Sequence, residues 1–303
     1  MGRRNSEWLH IALKAVILTG FAGLMIYLLF SGEMLLYIAP HLMIYAWVAA
    51  AFLVVATGFQ YYIGFVSMKR TVVECECGHD HDHDQSALPG SGWRSSLVYF
   101  VFILPLLLGA FLPNSALAGS LAQNKGMNLG GAVYSGKASQ GDLVEVDGDQ
   151  DPALKERFKT TVYNRDYAKL GMLLFEQESI EMTDEWFIEK LQALNTFANN
   201  FQDKKLTITG FVYREEGLTD AQFIVGRMAM THCIADISPY GIIAESPDAQ
   251  QYADDSWITV TGTIGIAEYR GQKVIKINIE SVAPASPAKI PYVYPDWHFA
   301  DRL

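Results

Sequence analysis

The chain opens with long apolar runs and closes with short segments of alternating apolar and polar residues. Ile11 to Phe30 is nearly unbroken, interrupted only by Lys14 and Thr19, and is long enough to cross a bilayer. Lys14 lies near its end, where a long side chain can reach the interface. Arg3 and Arg4 precede it as they would a secretory leader. The run exceeds a typical leader core, and a second hydrophobic stretch follows, so a retained helix is expected. Ser31 to Pro40 is a short connection broken by Gly32 and Pro40. Met43 to Val66 is the second apolar run, closed by the interface residues Tyr61, Tyr62, Lys69 and Arg70. Leu97 to Leu112 is a third and shorter run. Pro105 and Gly109 within it predict a kink.

Beyond residue 113 the pattern changes. Asn124 to Gly141 is rich in Gly, Ser and Lys and reads as a tether. Thr183 to Phe201 has helical spacing: Phe187, Leu191 and Leu194 share a face, and Thr183 is placed to cap. From Leu206 the period becomes two, in Leu206–Tyr213, Gln222–Met228, Ile242–Ala244, Trp257–Gly265 and Lys273–Ile279. Gly210, Gly262 and Gly265 fall inside these strands, where a small barrel bends or bulges. The predicted fold is an α-helical membrane region of about three transmembrane helices plus an α+β soluble domain with an OB-like small β-barrel, a small sandwich being the alternative. The expected domains are a membrane region (1–113) with a polar loop (67–96), a linker (114–160) and a soluble domain (161–303). The last contains a helix (183–201), a barrel (205–283) and a Pro-rich tail too rich in proline for a central strand.

Charge sharpens this division. The 303 residues carry a net charge of −10, of which residues 1–113 hold −1 and residues 114–303 hold −9. An acidic soluble region argues against a nucleic-acid partner, which requires a basic surface. Arg3, Arg4, Lys69, Arg70 and Arg94 flank the apolar runs, whereas residues 31–40 carry no Lys or Arg. The positive-inside rule then places the N-terminus and the 67–96 loop in the cytoplasm and the C-terminal domain outside the cell, in a multi-pass cell-membrane protein.

Two clusters carry candidate chemistry. Cys75, Cys77, His79, His81 and His83 are interleaved with Glu76, Asp80, Asp82 and Asp84. Thiolates, imidazoles and carboxylates at this density suit zinc or another divalent transition metal; a solvated acidic loop is the plain alternative. In an extended chain the three His share one side. The second cluster is His232, Cys233 and Asp236, which could ligate a metal if the chain turns there; a buried thiol beside a loop His is the alternative. Three Cys do not make a disulfide framework. Asp147, Asp149 and Asp151 have the spacing that opens a calcium loop, but Pro152 and Phe158 occupy its Gly and Glu places. No Ser/His/Asp set, phosphate loop or zinc-protease helix is legible, so no enzyme is expected.

The Arg227…Cys233…Asp236 segment, the Trp257-Ile-Thr-Val-Thr-Gly strand and the Pro291-Tyr-Val-Tyr-Pro295 ending, behind N-terminal spans and a polar insert, resemble the bacterial family of two-component membrane permease complex subunits, typical of Gram-positive bacteria. The resemblance covers most of the chain. It implies a larger polytopic partner similar to the organoarsenical-type permeases. That family carries two adjacent Cys before the Ala-Asp; here the first is His232, which removes one thiol of the pair. The expected function is an accessory subunit of a membrane permease complex linked to metal binding or transport, with a polytopic permease, membrane lipid and a metal ion as partners. The alternatives are a stand-alone membrane sensor or chaperone for zinc or a similar ion, and a tethered thiol enzyme working through His232, Cys233 and Asp236.

Overall fold

The computed structural model describes residues 2–69, 92–111, 125–130, 143, 144, 146 and 151–303. The chain forms two compact units. One comprises Met1–Leu35 with Pro40–Asn114; the other comprises Leu36–Ala39 with Ser115–Leu303. Cys75, Cys77, His79, His81 and His83 lie outside the described residues.

The first unit holds α1 (Gly2–Ser31), α2 (Met43–Lys69) and α3 (Gly92–Phe111). Two stretches, Trp8–Ser31 and Pro40–Ser67, are long and apolar enough to cross a membrane; the apolar part of α3, Ser96–Phe111, is shorter. Most side chains of α2 face outward, among them Phe52, Val55, Phe59 and Tyr62. In water such a surface would be costly, whereas lipid solvates it. Contacts within the unit rely on small residues. A Cβ on Gly20 would lie 3.0 Å from Leu106. The Thr19 hydroxyl donates to the Ala15 carbonyl at 2.7 Å and meets the Tyr61 hydroxyl at 3.1 Å. His10 Nδ1 lies 2.8 Å from the Tyr99 hydroxyl.

The second unit is a mixed seven-stranded sheet with helices. Its elements are α4 (Pro152–Arg157), α5 (Arg165–Glu176), β1 (Ser179–Met182), α6 (Phe187–Thr196), β2 (Lys205–Tyr213), β3 (Gln222–Ala229), β4 (Ser238–Glu245), β5 (Trp257–Tyr269), β6 (Gln272–Pro284) and β7 (Tyr292–Val293). The strand order is β1-β2-β5-β6-β4-β3-β7. β1–β2, β4–β6 and β3–β7 are parallel pairs and the others antiparallel. β2 also pairs with β3 through Phe211–Tyr213, so the pairings β2-β5-β6-β4-β3 return to β2.

Two of the strand glycines are demanded by close approach. A Cβ on Gly210 would sit 2.3 Å from the Gly226 carbonyl oxygen, and one on Gly262 would sit 2.1 Å from that of Asn278. The β5–β6 register slips between Thr261 and Gly262, the bulge that the interior glycine predicts. The main core joins Phe158, Phe187, Leu191, Leu194 and Phe201 to Ile208, Val260 and Ile277. A second apolar cluster includes Ala39, Met127, Phe211 and Met228.

Several elements differ from expectation. The helix expected over 183–201 is shorter: α6 starts at Phe187, and a separate 3-10 turn covers Ala198–Asn200. Thr183 does not cap it, because its hydroxyl donates to the Glu185 carbonyl at 3.2 Å. Trp186, at φ 55°, breaks the run; its indole is tied to Asp296 Oδ2 at 2.9 Å. β1, too short to announce itself by alternation, pairs in parallel with β2. The end of the expected linker (114–160) carries α4, with Pro152 in its first turn and Asp151 accepting from the Ala153 amide at 2.9 Å. The Pro-rich tail contributes β7, a two-residue strand on the β3 edge.

Candidate functional site

The connection between β3 and β4 holds His232, Cys233 and Asp236. Cys233 is extended, and a 3-10 turn, Ile234–Asp236, reverses the chain. Asp236 organises this turn. Its Oδ1 accepts from the Thr231 amide at 3.0 Å; its Oδ2 accepts from the amides of His232 at 2.7 Å and Cys233 at 3.2 Å, with His232 Nδ1 also at 3.2 Å. Desolvation alone would raise this carboxyl. The amide donors of His232, Thr231 and Cys233, with the His232 ring, outweigh it and hold Asp236 below the usual carboxylate range. The three predicted residues are therefore brought together, but as a capped turn. A cation would compete with four N–H donors for the Asp236 oxygens. Among the described residues, no group of three or more His, Cys, Asp and Glu is placed to hold a metal ion.

The same turn receives an unexpected neighbour. Ile38 bridges Cys233 in antiparallel fashion. The Ala39 amide donates to the His232 carbonyl at 2.8 Å, and the Ile234 amide donates to the Tyr37 carbonyl at 2.9 Å. Thus Leu36–Ala39, from the connection between α1 and α2, folds as part of the sheet unit. Lys125 binds the turn from another side, donating to the Ile237 carbonyl at 2.6 Å.

A second polar feature lies in β3. Every residue after Gln222 in this strand is buried, including Arg227, which is 4% exposed. Arg227 Nη1 pairs with Asp184 Oδ1 at 2.6 Å and lies 3.5 Å from the Thr209 carbonyl, too far for a strong bond. The guanidinium carbon is 5.4 Å from the Trp257 ring centre and 6.0 Å from that of Phe187, within cation–π range. Nε and Nη2 are buried without a hydrogen-bond partner. Nearby, burial together with Tyr292 and Asp184 pushes the Tyr294 hydroxyl up to about 12. Sequence reasoning used Arg227 only as a landmark of the family segment. The signal for its role was a lone cation in an otherwise apolar strand.

The tail is fastened by a carboxylate pair. Glu189 Oε1 accepts from the Asp296 amide at 2.8 Å, and Asp296 in turn takes the Trp186 indole and Arg302. Burial raises the Glu189 carboxyl despite that amide. A cavity of about 410 Å³ lies elsewhere in this unit, lined by Lys125, Asn128, Tyr240, Tyr269 and Arg270 among others.

Comparison with known proteins bears on this architecture. The DUF1980 N-terminal domain matches residues 13–128, and the DUF1980 C-terminal domain matches residues 157–295. The chain belongs to the DUF1980 family. The two matches of this DUF1980 chain fall on the helical part and the sheet. A Streptococcus mutans protein, whose name gives it as a candidate two-component membrane permease complex subunit, is 23% identical over 288 residues, 93% of this chain and 98% of that protein. The UPF0703 protein YcgQ of Bacillus subtilis is 26% identical over 178 residues, 59% of this chain; the match spans 60% of that relative's length.

Proposed function

We propose that this DUF1980 chain is the accessory subunit of a two-component membrane permease complex, a membrane-embedded helical part carrying an OB-like soluble domain. The observation that carries this is the exposed apolar surface of α2, in a chain similar over 93% of its length to a named candidate permease subunit. Three helices whose apolar runs carry a single charged residue, Lys14 near one end, make a poor transport path of their own. They make a good dock for a polytopic partner and for lipid. The OB-like reading rests on the closed circuit of β2, β5, β6, β4 and β3.

The topology proposed is three spans, with the C-terminal domain outside. Its support is the pairing of Tyr37–Ala39 with His232–Ile234. If the α1–α2 connection and the sheet share one side of the membrane, α2 leads to the opposite side and α3 must return. The basic residues then put Cys75–Asp84 in the cytosol, where thiols stay reduced and free to take a zinc-like ion. We assign to that stretch a metal-sensing or metal-delivering role in the complex.

The test is a photo-crosslinking amino acid placed at Phe52 or Val55 of α2 in native membranes. The expected result is one discrete crosslink to a polytopic membrane protein that also co-purifies at a fixed ratio. Crosslinks to lipid alone, with the purified chain transporting by itself in vesicles, would overturn the accessory reading.

A further inference from the structure

Arg227 is buried with most of its donors unmatched. A guanidinium offers five donors in a planar fork, yet here one strong acceptor, Asp184, meets only Nη1. Nε and Nη2 are buried and have no hydrogen-bond partner in the protein. Leaving charged donors buried and unmet costs more than an apolar side chain of similar size would in the same place, so packing does not explain an arginine here. The residue sits where β2 and β3 part: their ladder ends at Phe211 and Gly226, one residue before it. Trp257 and Phe187 flank the guanidinium and hold it in place.

Asp184 differs from Arg227 in one respect. Its side chain is 58% exposed, and it lies in the loop between β1 and α6, outside any regular element. It can swing away without breaking a ladder or a helix.

We propose that Arg227 is the receptor for a small oxyanion, a carboxylate or a phosphate, which enters by displacing the Asp184 carboxylate. The incoming anion takes Nη1 and Nη2 together, as a guanidinium fork favours, where Asp184 takes only one. Asp184 is then an internal competitor that weakens binding and keeps the arginine neutralised when no ligand is present. This site is independent of the permease reading, since it uses only groups within the soluble unit.

The test uses the full chain in detergent, as wild type, Asp184→Asn and Arg227→Lys. Sodium phosphate or sodium acetate is titrated against chloride at fixed pH and ionic strength. Thermal unfolding of the soluble unit and tryptophan fluorescence are read together. The expected result is a saturable stabilisation by one or both anions. Removing the competitor should lower the half-saturating concentration in Asp184→Asn by about tenfold or more. Arg227→Lys should lose the saturable response. If Arg227→Lys does not fold, Asp184→Asn/Trp257→Phe serves instead and should keep the stabilisation while losing the fluorescence change. Response to acetate alone or to phosphate alone tells a carboxylate from a phosphate ligand, and either supports the site. No saturable response in Asp184→Asn, or equal responses in wild type and Arg227→Lys, overturns it.

Discussion

Asn195 is the side chain on which the soluble unit should depend most for its size. It sits on α6, 7% exposed. Its Nδ2 donates to the Leu129 carbonyl at 2.8 Å and to the Leu191 carbonyl at 2.9 Å, and its Oδ1 accepts from the Ile275 amide at 2.9 Å. One amide thus joins α6, β6 and the segment that leads into β-structure at Asn128. Asn195→Ala leaves the Leu129 carbonyl and the Ile275 amide without these partners in a dry interior. Each such orphan costs about 1–3 kcal/mol, so about 3 kcal/mol is expected for the pair once some relaxation is allowed. For a unit of this size 1 kcal/mol moves the midpoint by about 2–4 °C, which predicts a fall of about 6–12 °C. Near-ultraviolet circular dichroism of the purified full chain during heating follows the aromatic core of the sheet unit. The exposed Asn199→Ala is the control, with an expected change within about 0.5 kcal/mol. An Asn195→Ala midpoint within about 1 °C of that control would refute the hydrogen-bond reasoning. Asn195→Asp should be worse than alanine, because it sets a carboxylate against two carbonyl oxygens.

Other outcomes follow from particular groups. Asp236 has a folded pKa below its unfolded one, so its stabilisation is present above about pH 4 and is lost as the pH falls through the lowered folded value. The midpoint gap between wild type and Asp236→Asn should therefore be wide at pH 7 and close on acidification; a gap independent of pH would contradict the capping role. In a chain with Cys75 and Cys77 changed to Ser, a membrane-impermeant maleimide should label Cys233 from outside intact cells. With Cys233→Ser instead, Cys75 and Cys77 should label only after permeabilisation, and the opposite pattern would reverse the proposed topology. Metal analysis of the purified protein should show zinc that disappears on deletion of residues 75–84 and survives Cys233→Ser; loss only in Cys233→Ser would move the metal to the β3–β4 turn.

Much of the fold was legible because it obeys simple periods. Apolar runs of bilayer length marked α1 and α2, and period-two alternation marked β2, β5 and β6, whereas β3 is buried along its whole length after Gln222. Interior glycines marked the place where β5 bulges. What escaped was set by distant contacts. Trp186 adopts a left-handed backbone and is tied to Asp296, more than a hundred residues away, so local propensity extended α6 too far. β1 takes its pairing from β2 and has too few residues to alternate. At the turn, residue types pointed to ligation, whereas geometry turned the Asp236 oxygens inward onto four N–H groups. Arg227 was visible only as an oddity of composition, since its buried, unmatched donors are a fact of packing and not of spacing.

The bridge between Tyr37–Ala39 and the β3–β4 turn has a consequence for how the molecule is made. A ribosome delivers those residues while nearly two hundred remain to be translated before the turn at Cys233 that they bridge. Ala39, fully buried in the finished unit, meets its partner carbonyl on His232 only after β1, β2 and β3 have been made. One half of this contact is therefore laid down almost first and the other far later. A gene fragment beginning after the helices encodes the sheet without the segment that bridges its β3–β4 turn.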